Sequence, residues 1–110
     1  MTYKNMKNKK IQIVKDYFKG WETGKKELLK LSPDLKFTSP DDCFTSSAGF
    51  LDKCWQYRGL KYDKMDFVTG ENIVCVRYSI NSDGKQFENC EWITVEKGEI
   101  NEIIVFYGSK

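Results

Sequence analysis

Apolar residues recur early in the chain at three- and four-residue steps: Ile11, Val14, Tyr17, Phe18 and Trp21. On a helix of 3.6 residues per turn these positions share one stripe, so the spacing predicts an amphipathic helix from about Ile11 onward. Residues 1–10, with four lysines, read as its loosely held polar end. Gly24 stands where a left-handed residue ends a helix. A short second helix is expected over Lys25–Leu31, carrying Leu28, Leu29 and Leu31 and broken at Ser32-Pro33-Asp34. Leu35, Phe37 and Ser39 then alternate with Lys36 and Thr38, a short strand closed by Pro40. Asp41-Asp42 and Thr45-Ser46-Ser47 supply turn and N-cap chemistry. They lead into a third helix near Ser47–Arg58, with Phe50, Leu51, Cys54 and Trp55 on one side and Gly59 at its end.

After Gly59 the apolar period changes from 3.6 to 2. Met65 and Phe67 alternate with Lys64, Asp66 and Val68 in a strand over Tyr62–Thr69. Gly70-Glu71-Asn72 turns the chain into Ile73–Ile80. Asn81-Ser82-Asp83-Gly84 is a hairpin signal, Gln86–Val95 returns, and Glu96-Lys97-Gly98-Glu99 leads to Ile100–Tyr107. Three helices ahead of an antiparallel meander define an α+β domain with helices on one face of the sheet. The strands carry apolar residues on both faces: Trp92 opposes Ile93 and Val95, and Ile104 and Phe106 oppose Ile103, Val105 and Tyr107. A face turned away from the helices is normally wet. A homodimer joined through the sheet is therefore expected.

Composition narrows the chemistry. The 110 residues fit one domain spanning 1–110, and 40% hydrophobic with 31% charged residues is an ordinary globular mix. Eighteen basic against sixteen acidic residues leave +2, which calls for neither nucleic acid nor an anionic membrane. Neither a glycine-rich phosphate loop nor an interleaved basic–aromatic stripe is present. Lys15, Asp16 and Lys19 interrupt the first apolar stretch, so a signal peptide or membrane span is not expected and the cytoplasm is the default compartment. Histidine is absent, which removes Ser-His-Asp and Cys-His nucleophile systems and the commonest metal ligand. Cys43, Cys54, Cys75 and Cys90 form no CxxC pair and read as free, mostly buried thiols. No metal and no cofactor are expected.

The order of elements resembles the nuclear transport factor two-like superfamily, especially its SnoaL-like polyketide-cyclase and ketosteroid-isomerase branches. The residues that carry the likeness are Val14–Gly24 ending in Trp21-Glu22-Thr23-Gly24, and the Leu28-Leu29 helix. Leu35-Lys36-Phe37-Thr38-Ser39-Pro40 and Gly98-Glu99-Ile100 through Phe106-Tyr107-Gly108 complete it. These loose patterns cover nearly the whole chain and speak to fold more than to reaction. The resemblance implies a cone-shaped half-barrel, a curved sheet wrapped around three helices with a blind apolar pocket at one end, and a homodimer through the sheet.

In the ketosteroid-isomerase branch a helix tyrosine and a late-strand acid form an oxyanion hole, and an aspartate before a proline is the base. By that resemblance Tyr17 matches the tyrosine, whose phenol would donate to a developing enolate. The alternative for Tyr17 is a core aromatic with a satisfied hydroxyl. Ser39, before Pro40, replaces the aspartate and without histidine cannot take a carbon-bound proton. The late-strand acid position falls on Cys90, with Glu91 adjacent, and a one-residue slip exchanges their faces. Asp41 and Asp42 either replace the lost base or form a solvated turn. Arg77 is either an inward charge, holding an anion or pairing Glu91, or a rim ion pair. Phe18, Trp21, Phe37, Phe50, Cys54, Trp55, Met65, Phe67, Trp92, Ile103, Val105 and Tyr107 form either plain core or the wall of a cavity for a small hydrophobic molecule. Three readings follow: a pocket binding a small apolar molecule, an acid–base isomerase, cyclase or dehydratase acting on a small carbonyl compound, or a dimeric scaffold without ligand.

Overall fold

The computed structural model describes residues 3–107 of the chain. Residues 1 and 2 of the polar end, and Gly108, lie outside the described residues. The first helix, α1, runs Tyr3–Thr23, so most of the polar segment is helical and extends the helix well before Ile11. Its apolar stripe buries Val14, Tyr17, Phe18 and Trp21 against the sheet. Gly24 ends it at φ +73°, and the Lys25 N–H bonds the Gly20 carbonyl at 2.9 Å. That six-to-one bond is the Schellman closure a left-handed glycine permits.

The expected second helix is reduced to a single 3-10 turn at Lys26–Leu28. Lys25 is extended at its start and Lys30 is left-handed at φ +51°, so no second turn can form, although Leu29 is still buried. From Leu31 the chain is already strand: β1 spans Leu31–Thr38 and runs through Pro33. A strand tolerates proline where the ladder is interrupted, and the β1 register shifts between Leu31 and Lys36. A two-residue strand, β2 (Cys43–Phe44), folds back on β1. Next, α2 spans Ser47–Cys54, with Ser46 Oγ accepting from the Gly49 N–H at 3.0 Å. It tightens into a 3-10 turn at Trp55–Tyr57, which shortens the expected third helix. The described residues thus hold two α-helices rather than three.

The meander follows as β3 (Tyr62–Thr69), β4 (Ile73–Ser82), β5 (Lys85–Glu96) and β6 (Glu99–Tyr107). Asp83-Gly84 and Lys97-Gly98 turn the last two of the three hairpins with positive φ at both residues, the geometry that matches strand twist. The sheet order is β2-β1-β6-β5-β4-β3. β1 lies parallel to β6 while the other neighbours are antiparallel, so the sheet is mixed and unclosed. Its inner face presents Val74, Val76, Ile93, Val95, Ile100 and Ile103 to the helices. Its outer face leaves Val68, Trp92 and Phe106 exposed. Among the described residues no helix is long and apolar enough to cross a membrane.

Candidate functional site

One end of the inner face is not filled by the helices. Strict alternation along β5 turns Glu91, Ile93 and Val95 inward and Trp92 outward. The same period on β4 turns Val74, Val76 and Tyr78 inward and Arg77 outward. Because Val76 pairs with Glu91, the inward Tyr78 lies diagonal to the carboxylate across the two strands, within reach of a long side chain. Tyr78 donates its hydroxyl to Glu91 Oε2. The other oxygen, Oε1, is buried and has no hydrogen-bond partner. Glu91 is only 6% exposed, yet none of the ion pairs among the described residues includes it.

A carboxyl deprived of water favours its neutral form. Burial accordingly pushes Glu91 up to about 7, while the Tyr78 hydrogen bond pulls the other way. Tyr17 on α1 and Tyr62 on β3 complete the surroundings. Burial first, and then the charge of Glu91, push the Tyr17 phenol well above its usual range. Tyr62 and Tyr78 are raised for the same two reasons. Aromatic rings lock this end together: Phe18 meets Tyr62 and Tyr78 at 5.0 and 5.3 Å between centroids, and Trp21 meets Trp55 at 4.9 Å.

The pocket that results encloses about 230 Å³. Tyr17, Trp21, Phe37, Phe50, Cys54, Tyr62, Tyr78, Ile80 and Val105 form its wall, with Glu91 and Asn89 as inward polar groups and Ser39, Asp42, Tyr57, Leu60 and Tyr107 completing the lining. Ser39 Oγ accepts from the Asp42 N–H at 3.1 Å, folding the loop after β1 into a turn. Asp42 is paired with Lys53 of α2, and Asp41, exposed outside the lining, accepts from the Tyr107 hydroxyl.

The other residues singled out from the sequence lie elsewhere. Phe18 and Ile103 are core, and Met65 and Phe67 pack at its margin. Trp55 backs Trp21 from behind, with Lys26 and Arg58 against its ring. Arg77 is outward and pairs with Asp66 at 3.1 Å, both side chains 67% exposed, so it neither enters the pocket nor meets Glu91. Cys90 lines a shallow depression on the outer face with Arg77 and Phe106, and Trp92 is also outward. The four thiols are free, but none is fully buried and Cys43 is exposed. No three His, Cys, Asp or Glu side chains converge as a metal site among the described residues. Tyr62, Tyr78, Ile80 and Asn89 are further pocket residues. Tyr78, Ile80 and Asn89 alternate in step with the inward positions of their strands, a signal present in the sequence, whereas the register shift between Asp63 and Asp66 sets Tyr62 out of phase with Met65 and Phe67.

No protein-family model matches the sequence, and no curated protein is significantly similar to it. Solved structures are similar. An NTF2-like protein of unknown function from Cytophaga hutchinsonii superposes with a TM-score of 0.79 at 22% identity, covering 90% of this chain and 89% of that one. A protein from Kribbella flavida provisionally assigned as a ketosteroid isomerase gives 0.84 at 13% identity, covering 94% and 80%. A provisionally assigned polyketide cyclase from Xanthomonas campestris pv. campestris gives 0.79 at 13%, covering 92% and 91%. The chain has the NTF2-like fold.

Proposed function

We propose that this chain binds a small, largely apolar molecule in the pocket between α1, α2 and the inner face of the sheet, with Glu91 holding the ligand's polar end. One observation carries the reading. Glu91, which keeps one buried carboxylate oxygen without a partner, lines an aromatic-walled cavity, and groups left so are normally satisfied. In this reading the fold acts as the half-barrel that the family resemblance implies, with Asp42 and Ser39 in the lining. Binding of small apolar compounds should quench the fluorescence of Trp21. Val105→Trp, which fills the pocket from β6, should abolish that quenching while the far-ultraviolet circular dichroism stays native. Quenching that survives in the filled variant would place the ligand elsewhere.

The second reading is acid–base turnover of a small carbonyl compound. It is favoured by Glu91, whose buried carboxyl titrates at about 7, where a general base works best. Glu91 would take the proton through Oε1, and Tyr17 would donate to the developing oxyanion. Similarity to proteins provisionally assigned as ketosteroid isomerase and polyketide cyclase supports this reading. Under it, Glu91→Gln lowers the rate at which a bound ketone exchanges its α-protons into D2O by about 10²-fold or more. A homodimer through the outer face is part of the same proposal, since Trp92, Phe106 and Val68 are otherwise left to water.

A further inference from the structure

Among the described residues, the pocket has acidic groups in its lining and no basic one. Neither lysine nor arginine contributes to it, and the Asp42 carboxylate is met by Lys53, which stands outside the lining. Glu91 has no such partner. The titratable groups that share its pocket are Tyr17 from α1, Cys54 from α2, Tyr57 from the 3-10 turn after it, Tyr62 from β3, Tyr78 from β4 and Tyr107 from β6, with Asp42 from the loop after β1. Not one of them is a cation. Buried charges in proteins are paired, because an isolated ion loses its hydration without compensation. Aromatic rings crowd the same space, and rings attract a cation through their quadrupoles.

We propose that the polar end of the molecule held here is a protonated amine, its N–H donating to Glu91 Oε1 and its charge lying among the rings of Tyr17, Tyr62 and Tyr78. This rests on the reading that the pocket holds a small, mostly apolar molecule, and it names that molecule's chemical class. The ligand supplies the positive charge that the fold omits. Tyr78 already occupies Oε2, so one oxygen is left for one ammonium N–H. An apolar body of one or two rings then meets Trp21, Phe37 and Phe50.

The sign of the pH dependence separates this proposal from carbonyl binding. An ammonium needs Glu91 ionised, so its affinity rises as the pH climbs through about 7. A carbonyl oxygen accepts a hydrogen bond from the O–H of neutral Glu91, so its affinity falls over the same range. The probes are 2-aminoindane, 2-indanone and indane, which share one skeleton, titrated by calorimetry from pH 5.5 to 8. The aminoindane affinity is expected to increase about tenfold or more across that range. At pH 8 it should exceed that of the ketone, and Glu91→Gln should remove both the preference and the pH trend. Ketone or indane binding without aminoindane binding overturns the amine class and leaves the pocket reading standing. An aminoindane affinity that falls with pH, or is unchanged in Glu91→Gln, also overturns it. Failure of all three probes overturns the pocket reading together with the proposal. The trend on the unsubstituted protein needs no variant to fold.

Discussion

At the residue scale, Glu91 is the position where stability and chemistry are coupled. Its carboxyl titrates at about 7 in the fold, against an ordinary value of 4.5. An acid whose folded value is raised binds more protons folded than unfolded between those two values. Its contribution is therefore fully present below pH 4.5 and is lost as the pH rises through 7. The shift corresponds to about 3 kcal/mol. Urea unfolding should show stability falling by that order between pH 4.5 and 8, and Glu91→Gln should abolish this component. The inward placement of Glu91 was legible, since it shares parity with Ile93 and Val95. The family resemblance instead puts the late-strand acid position at Cys90, one residue out of that parity. Arg77 is the charged residue of β4, but it is Tyr78, one position later and in phase with Val74 and Val76, that reaches the pocket.

At the element scale, periodicity locates α1 from Ile11 onward, the later half of β1 from Leu35 and the four strands of the meander. It overestimated helix wherever backbone angles intervened. Leu28, Leu29 and Leu31 are spaced for a helix, but the left-handed Lys30 and the extended Lys25 allow only one 3-10 turn. Gly20 explains how that turn fits. A Cβ on Gly20 would lie 2.8 Å from Leu29 Cδ2 and 2.9 Å from the Lys25 carbonyl oxygen. Backbone oxygen cannot step aside as a flexible side-chain end can. Gly20→Ala is thus expected to destabilise by about 1–3 kcal/mol through overcrowding, although alanine improves helix propensity by about 1 kcal/mol. A lowered midpoint in urea would show it, and a raised one would show that the junction yields. Nothing in the pattern of apolar residues marks this close approach, because it depends on where the chain returns in space.

At the scale of the whole molecule, the two faces of the sheet have different fates. The inner one closes over α1, α2 and the pocket, and the outer one carries Trp92 at 41% and Phe106 at 54% exposure. The two-faced apolar pattern was evident from the alternation of β5 and β6. Its partner was not, since one chain does not contain the other half of an interface. If two copies meet there, Trp92→Lys should convert a dimer into a monomer in sedimentation velocity and leave ligand binding in the inner pocket unchanged. A native chain that sediments as a monomer at high concentration would exclude the dimer.

The parallel contact between β1 and β6 has a consequence for the order of assembly. Leu31 sits beside Ile100, and Phe37 beside Ile103, so β1 finds its place only against a strand from the far end of the chain. Contacts so distant along the chain carry a loop-closure cost before they yield any stabilisation, and folds rich in them form slowly. The pocket draws wall from both strands, Phe37 from the first and Val105 from the last. Its wall is therefore complete only once β1 and β6 have paired.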